Sequence, residues 1–493
     1  MKPLFKILIL FTLTNGAFGQ GYNHQWLIGN QWLQSVPKGR MFFDSSSYQY
    51  QTEFRKMAFE GTQGNICNAN GDFLMSSNGV WIANANNDTM FNGSGLNPGY
   101  FVNGYPNGLL ITNGNFFIPT PGDTAGYTLF HQTEVNPVST NCNLSYSKID
   151  LNLDSGLGGV MSKNNQLISD SLTWGITAVK HANGRDWWIL GMRDSSDIIY
   201  KILYTVNGIE NISTQALNFS PHPFGNVSQI NFSSEGELFT YNTYDNPVDR
   251  NSSVILCDFD RCTGLFSNTR VIPVYSGAYI WGMSFSPSGQ YLYCNTSSYI
   301  FQINTATLQV DTVALYDGFS FPIPSAATTF WAEYLAANGK IYLTSGNGVQ
   351  HLHEINYPDS AGLACDVQQH SVPLGVWHFR TVPNHPNYNL GPVTGSICDS
   401  LGVGIPEIQH DFHFGISPNP SGDGFIKIIY MLPQNHGGLF EVYDITGQLV
   451  YSMNLPEWST LQYLELPKLS DGVYTAVVRS GYEKAAKKLV IVR

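Results

Sequence analysis

Six stretches of this chain repeat one small construction, a tight corner closed by glycine between two alternating apolar runs. In Trp281-Gly-Met-Ser-Phe-Ser-Pro-Ser-Gly-Gln-Tyr-Leu-Tyr-Cys294 the corner is Pro287-Ser288-Gly289. Proline presets φ at the start of such a turn, and glycine takes the positive φ that follows. The same form recurs in Asn68-Ala-Asn-Gly71, His181-Ala-Asn-Gly184, Asn231-Phe-Ser-Ser-Glu-Gly236 and Leu335-Ala-Ala-Asn-Gly339, and more loosely in Asp123-Thr-Ala-Gly126. From Gly71 through Gly126, Gly184, Gly236 and Gly289 to Gly339 the intervals are 55, 58, 52, 53 and 50 residues. A hairpin in each unit at that period, with no helical periodicity, is the pattern of β-propeller blades. A blade buries its faces only against its neighbours, so the repeats imply one closed ring of about 380 residues.

Alternating apolar runs between the corners fill in the blades. Segments 40–60 and 65–84 read as the first, 108–151 as the second, 174–204 as the third, and about 224–266, 276–314 and 328–355 as the fourth to sixth. A composite closing blade makes seven, with six as the alternative count. Asn23-His-Gln-Trp-Leu-Ile-Gly29 has no hairpin partner nearby, and its expected partner lies in His370–Thr381, where it would shut the ring. The propeller thus spans 20–390. Residues 391–411, rich in Gly, Ser and Pro, read as a linker. Residues 412–493 then pack six or seven strands into about 80 residues, a small antiparallel Ig-like β-sandwich.

Composition narrows the setting. Charged residues are only 12% and the net charge is −12, which argues against nucleic acid and against an anionic membrane surface. Lys2 and Lys6, the apolar run Ile7–Leu13 and the small residues Ala17-Phe18-Gly19 form a secretory signal peptide over 1–19, with cleavage expected between Gly19 and Gln20. That run is too short to span a bilayer, and no other stretch reaches that length, so no transmembrane span is expected. Export permits disulfides among the seven cysteines. Cys257 with Cys262, and Cys365 with Cys398, are the pairs that spacing suggests, with Cys294 as a buried thiol.

The last unit resembles the type A C-terminal sorting domain of type IX secretion, used by bacteria of the Bacteroidetes group. The matching elements are Ile416-Ser-Pro418-Asn419-Pro420, Val442-Tyr-Asp-Ile-Thr-Gly447-Gln, Leu469-Ser-Asp-Gly472-Val-Tyr474 and the closing Lys487-Lys-Leu-Val-Ile-Val492. The resemblance implies passage through the periplasm, export by the type IX machinery, and a protein released or held at the outer-membrane surface. Residues 20–400 also resemble propellers found on such sorting domains, through Asn92-Gly-Ser-Gly-Leu-Asn-Pro-Gly99, Ala178-Val-Lys-His-Ala-Asn-Gly-Arg-Asp-Trp-Trp188 and Pro383-Asn-His-Pro-Asn-Tyr-Asn-Leu-Gly-Pro392 with Cys398-Asp-Ser-Leu401. That second resemblance implies fold and location, not a ligand.

Linear motifs for chemistry are sparse. The turn Ser286-Pro-Ser-Gly-Gln-Tyr lacks the aspartate of a sialidase-type box, and Arg185-Asp186 reads as a turn charge pair. His351-Leu-His353 places two imidazoles on one strand face without a third ligand, which favours a solvated face over a metal site. Asp258 and Asp260 offer too few oxygens for calcium. There is no Gly-x-Ser-x-Gly elbow and no phosphate-cradling loop. No catalytic residue, cofactor or metal is therefore assigned. The expectation is an exported binding module for glycan or a surface protein, rather than an enzyme. A hydrolase or lyase with its site over the propeller axis, and a structural envelope component, are the alternatives.

Overall fold

The computed structural model describes residues 21–31, 33–134, 142–221, 229–244, 252–274, 277–322, 325–399, 414–430, 432, 437–457, 459–480 and 483–492. The expected signal peptide, with Gly19 and Gln20, lies outside them. The chain divides into two compact units at the Ser400/Leu401 boundary.

The first unit is a β-propeller with seven antiparallel blades among the described residues. Blade 1 holds Gln25–Ile28, Lys38–Phe43 and Tyr48–Glu53; blade 2 holds Gly64–Cys67, Phe73–Ser77, Trp81–Ala83 and Thr89–Ser94. Blade 3 holds Asn115–Pro119, Gly126–Glu134, Cys142–Asp150 and the first part of the long strand Gly159–Lys180. The last part of that strand opens blade 4, followed by Trp187–Arg193, Ile198–Thr205 and Gly208–Ala216. Blade 5 holds Asn231–Phe232, Leu238–Tyr244, Ser252–Asp260 and Leu265–Val274; blade 6 holds Gly282–Phe285, Tyr291–Asn295, Tyr299–Asn304 and Val310–Leu315. Blade 7 holds Glu333–Leu335, Ile341–Leu343, Val349–Ile355 and Val367–His378.

Five of the six glycine corners share one geometry. The amides of Gly71, Gly184, Gly236, Gly289 and Gly339 each donate to the carbonyl three residues back. Their φ values are 88°, 72°, 73°, 72° and 77°, where a side chain is strained. Gly126 is the exception and corrects the register. It opens a strand, its amide capped by Asp123 Oδ1 at 2.9 Å, and the corner is Thr120-Pro121-Gly122-Asp123 with φ 75° at Gly122. Proline at the second position and glycine at the third make this a type II turn, so the glycine sits elsewhere.

Blade 1 departs from expectation. Gln25–Ile28 pairs with Lys38–Phe43 in a local hairpin, not as a strand with His370–Thr381, which it meets through the Asn30 amide donating to the Trp377 carbonyl at 3.1 Å. Residues 40–60 and 65–84 accordingly belong to two blades. The turn between Lys38–Phe43 and Tyr48–Glu53 has no glycine; Asp44 Oδ1 accepts from the amides of Ser46 and Ser47 at 2.8 and 2.6 Å instead. Contacts from Ala69 to Gly21, Asn65 to Gln25 and Gln63 to Leu27 run in opposite senses, so this inner strand is antiparallel to that of blade 2. Blade 1 therefore lacks the strand that starts the other meanders. It closes on blade 7 by apolar packing of Trp26, Met41 and Phe43 with Tyr334, Tyr342 and Leu374.

Asparagine and glutamine side chains tie neighbouring blades near the axis. Asn65 Nδ2 donates to the Gln25 carbonyl at 2.9 Å, Asn115 Nδ2 to Ser77 at 3.3 Å, and Asn231 Nδ2 to Met283. Gln229 reaches two blades: its Oε1 accepts from the amides of Met283 and Glu333 at 3.1 and 2.8 Å, while Nε2 donates to the Glu333 carbonyl at 3.0 Å. Asn295 Nδ2 donates to the Trp331 carbonyl and to Glu333 Oε1, both at 2.6 Å. A neutral amide can satisfy a buried carbonyl without the desolvation cost of a charge. Glu333 itself is fully buried, and burial pushes its carboxyl up to about 8, partly offset by the Asn295 bond.

The supposed linker begins inside the propeller. Asn183 bridges to Pro392, the Val393 amide donates to the Ala182 carbonyl at 2.8 Å, and Cys398 is disulfide-bonded to Cys262 with Cα atoms 5.6 Å apart. Both pairings suggested by spacing are thereby corrected: Cys257 and Cys365 are free and buried, as is Cys294. Cys257 lies on a core strand whose side chain faces the blade 4–5 interior, away from the turn that carries Cys262.

The second unit is a sandwich. Phe414–Ser417, Phe425–Tyr430 and Leu461–Glu465 form one sheet; Leu449–Leu455, Gly438–Tyr443, Gly472–Ser480 and Glu483–Ile491 form the other. Ile426, Ile428, Phe440, Val442, Val478 and Leu489 fill the space between them.

Two outcomes follow. Asn65→Leu leaves the Gln25 carbonyl buried and unpaired, which costs roughly 1–3 kcal/mol and lowers the melting temperature; an unchanged melt contradicts the amide-tie account. Glu333 is raised from 4.5 when unfolded to about 8 when folded. Its contribution is complete below the unfolded value and is lost as pH rises through the folded one. Thermal melts of Glu333→Gln should therefore gain on the native chain between about pH 5 and 8, and parallel melts across that range would refute the burial assigned to this group.

Candidate functional site

Pro383 and Pro386 cannot donate to a strand ladder, so the chain leaves blade 7 as an irregular return segment, 382–393. It runs along the propeller axis, beside the three-stranded blade 1, where its side chains reach four other blades. Asn384 Nδ2 donates to the carbonyls of Asn113 and Ile176 at 3.2 and 3.0 Å. His385 Nε2 meets the Asn65 carbonyl at 2.7 Å, Asn387 Nδ2 donates to Ser234 at 2.7 Å, and Tyr388 Oη donates to Phe117 at 2.7 Å. Arg261 Nη2 holds the Gly391 carbonyl at 2.7 Å.

Between this segment and blades 1 and 4–7, at the ends of the inner strands that carry the corners, lies a cavity of about 280 Å³. Its lining is mostly neutral: Asn231, Ser233, Tyr334, Asn384 and Asn387 are typical, and among the described residues Glu333 is the one acid on it. The Glu333 Oε2 atom is buried without a hydrogen-bond partner. His385 also borders the cavity, and burial lowers its imidazole to about 4. Burial thus favours the neutral form of both groups, and the wall presents hydroxyls, amides and carbonyls. Such a lining can hold an uncharged polar ligand by hydrogen bonds. Among the described lining residues Glu333 has no second carboxylate beside it of the kind that paired-acid glycoside cleavage uses. Among the described residues, no group of three His, Cys, Asp or Glu side chains is placed to hold a metal ion.

The other residues singled out by sequence lie apart from the axis cavity. Arg185 pairs with the buried Asp186 at 2.8 Å, and Asn183 Nδ2 donates to the same carboxylate, so the pair braces a corner. His353 is fully buried against Phe330, with its imidazole lowered by burial to about 3, which corrects the expectation of a solvated face. Phe330 is set edge-on against the His353 ring, and the hairpin Ser320–Pro322 with Ser325–Ala327 meets the neighbouring imidazoles, Phe319 stacking on His370 and Phe321 packing on His351. Asp258 is engaged by Arg270 and Asn268, and Asp260 caps its own turn through Cys262 and Thr263. His181 bonds the Cys262 carbonyl at 3.0 Å.

Sequence reasoning missed the amide ties, Glu333 and the return segment. One signal was present: Asn65 and Asn231 stand six and five residues before the corner glycines Gly71 and Gly236. In the second unit, Asn419 clasps the last strand, donating to the Lys488 carbonyl at 2.6 Å and accepting from the Val490 amide at 2.9 Å, beside Pro418 and Pro420. Gly447 closes the Asp444 turn with φ 83°. Gly472 opens the strand that carries Tyr474, whose hydroxyl donates to the Ser470 carbonyl at 2.9 Å.

Comparison with known proteins separates the two units. Residues 415–492 match the family described as secretion system C-terminal sorting domain. Among solved structures, similar chains include a protein of unknown function from Desulfotomaculum acetoxidans, 12% identical with TM-score 0.40, covering 73% of this chain and 99% of that one. Others are a candidate 6-phosphogluconolactonase from Bacteroides fragilis, 11% identical, TM-score 0.39, with 73% and 96% covered, and a chain of a nidogen/laminin complex, 11% identical, TM-score 0.37, with 73% and 97% covered. Likeness at this level carries no argument about ligand. No curated protein matches the chain. Among the described residues no helix is long and apolar enough to cross a membrane. The chain is a β-propeller that ends in a type IX secretion C-terminal sorting domain, and that domain marks it as an exported protein.

Proposed function

We propose that the propeller is a binding module displayed at the cell surface or released from it, with a glycan or a surface protein as its ligand. The observation that carries this reading is the lining of the axial cavity, where among the described residues asparagine, serine and tyrosine outnumber one carboxyl that burial shifts toward its neutral form. Neutral hydrogen-bonding groups on a rigid ring recognise shape and hydroxyl pattern without bond cleavage. The sorting domain supplies the route: an amino-terminal signal peptide delivers the chain to the periplasm, and the type IX machinery engages residues 412–493.

Two experiments test the halves separately. Deleting residues 413–493 should leave the protein in the periplasm; normal appearance of the truncated chain in the medium or on the cell surface counts against the sorting role. An array of glycans and surface proteins probed with the full-length chain should give saturable binding that Asn387→Ala and Asn231→Ala weaken by about tenfold, as expected for one lost buried hydrogen bond of roughly 1.4 kcal/mol. Turnover of a bound glycan, or saturable binding that neither substitution alters, would overturn the assignment.

A further inference from the structure

The opposite end of the axis carries a feature the cavity does not have. Trp281 and Trp331 stand just ahead of the inner strands of blades 6 and 7, with rings stacked 4.0 Å apart at an interplanar angle of 16°. The Arg380 guanidinium carbon lies 4.8 Å from the Trp331 ring centre and 4.5 Å from that of Phe379. Trp281 already covers one face of Trp331, so the guanidinium takes the other. All four side chains are half-buried. Trp281 is fixed in turn by Nε1 donating to Ser297 Oγ at 3.2 Å.

Arg380 is held in place at some cost. Its backbone is left-handed, with φ 58°, and is pinned by its amide to the Ser345 carbonyl at 3.1 Å and by Thr344 Oγ1 to its own carbonyl at 2.7 Å. Non-glycine residues persist in that region where the surroundings fix them, often at ligand sites. Among the described residues no carboxylate lies within ion-pair distance of the guanidinium, and its buried Nε has no hydrogen-bond partner. Glu60 acts on it only through space. A guanidinium 4.8 and 4.5 Å from two ring centres and without a carboxylate partner among the described residues is free to take a carboxylate through its N–H groups.

We propose that this stack binds a carboxylate-bearing oligosaccharide. Arg380 takes a uronate carboxylate, and a neighbouring sugar ring packs its apolar face on the exposed part of the half-buried Trp281, against which Tyr279 is set edge-on with ring centres 5.8 Å apart. One charge per sugar, on a chain of apolar ring faces, matches one guanidinium beside two indoles. A densely charged polyanion fits less well, given the net charge of −12. The inference rests on the reading of the propeller as a binding module, and adds a second site and a ligand class to it.

The test is calorimetric titration of the full-length chain with a hexagalacturonate and with the same hexasaccharide after its carboxyls are reduced to alcohols. The acid form should bind at least about tenfold more tightly than the reduced form. Arg380→Met should erase that difference, Arg380→Lys should shrink it by losing the two-pronged geometry, and Trp281→Ala should weaken both ligands while the melt of each variant stays near native. Equal affinity for the two ligands, binding to neither, or discrimination that survives Arg380→Met overturns the proposal. If the two hexasaccharides fail these criteria while the array of glycans and surface proteins still yields a saturable ligand that Asn387→Ala weakens, the uronate site fails and the binding-module reading stands.

Discussion

Buried main-chain carbonyls around the axis have to be satisfied, and the rest of the propeller follows from how this chain does it. Inner strands of neighbouring blades do not share a hydrogen-bond ladder. Their facing groups must find side chains or remain unpaired, at a cost of roughly 1–3 kcal/mol each. Asn65, Asn115 and Asn231 meet that need from one blade to the next, and Gln229 does so from blade 5 to the Glu333 carbonyl of blade 7. Amides do it without bringing charge into the centre, consistent with a chain of 12% charged residues. The one acid that enters among the described residues, Glu333, is shifted toward its neutral form by burial.

The same requirement explains the return segment. Blade 1 has three strands and leaves open the position that starts the other meanders. The prolines of Val382–Leu390 prevent this stretch from pairing there as a strand, yet Asn384, His385, Asn387 and Tyr388 bond carbonyls of blades 2 to 5. Side chains thus replace the missing ladder. The disulfide between Cys398 and Cys262 then fixes the exit of the segment to blade 5 before the chain continues toward its sorting domain. Closure, axial filling and the cavity wall are one arrangement.

These features were unequally legible. Corners such as Ser286-Pro-Ser-Gly289 announce themselves because a positive φ demands glycine, a purely local constraint. Blade 1 was obscured because its turn, at Asp44, uses an aspartate cap. Residues 391–399 resembled a linker because Gly, Ser and Pro carry no periodicity, whereas their partners, Arg261 and Cys262, lie some 130 residues away. The sorting motifs were readable because they are contiguous. The cavity and the Trp281–Trp331–Arg380 stack were not, since each is assembled from different blades and only ring closure brings its members together.

The central claim is that the ring and its return segment are one cooperative structure. Comparing a chain ended after Asp399 with one ended after Thr381, by amide hydrogen exchange together with thermal melting, tests it most directly. The longer chain should melt in a single transition near that of the intact propeller, with the amides of the inner strands protected. The shorter one should melt well below it and lose protection first at Gly64–Cys67 and Asn115–Pro119, whose partners it lacks. Equal stability and equal protection in the two chains would show that the segment merely lies in the axis and that the ring closes without it.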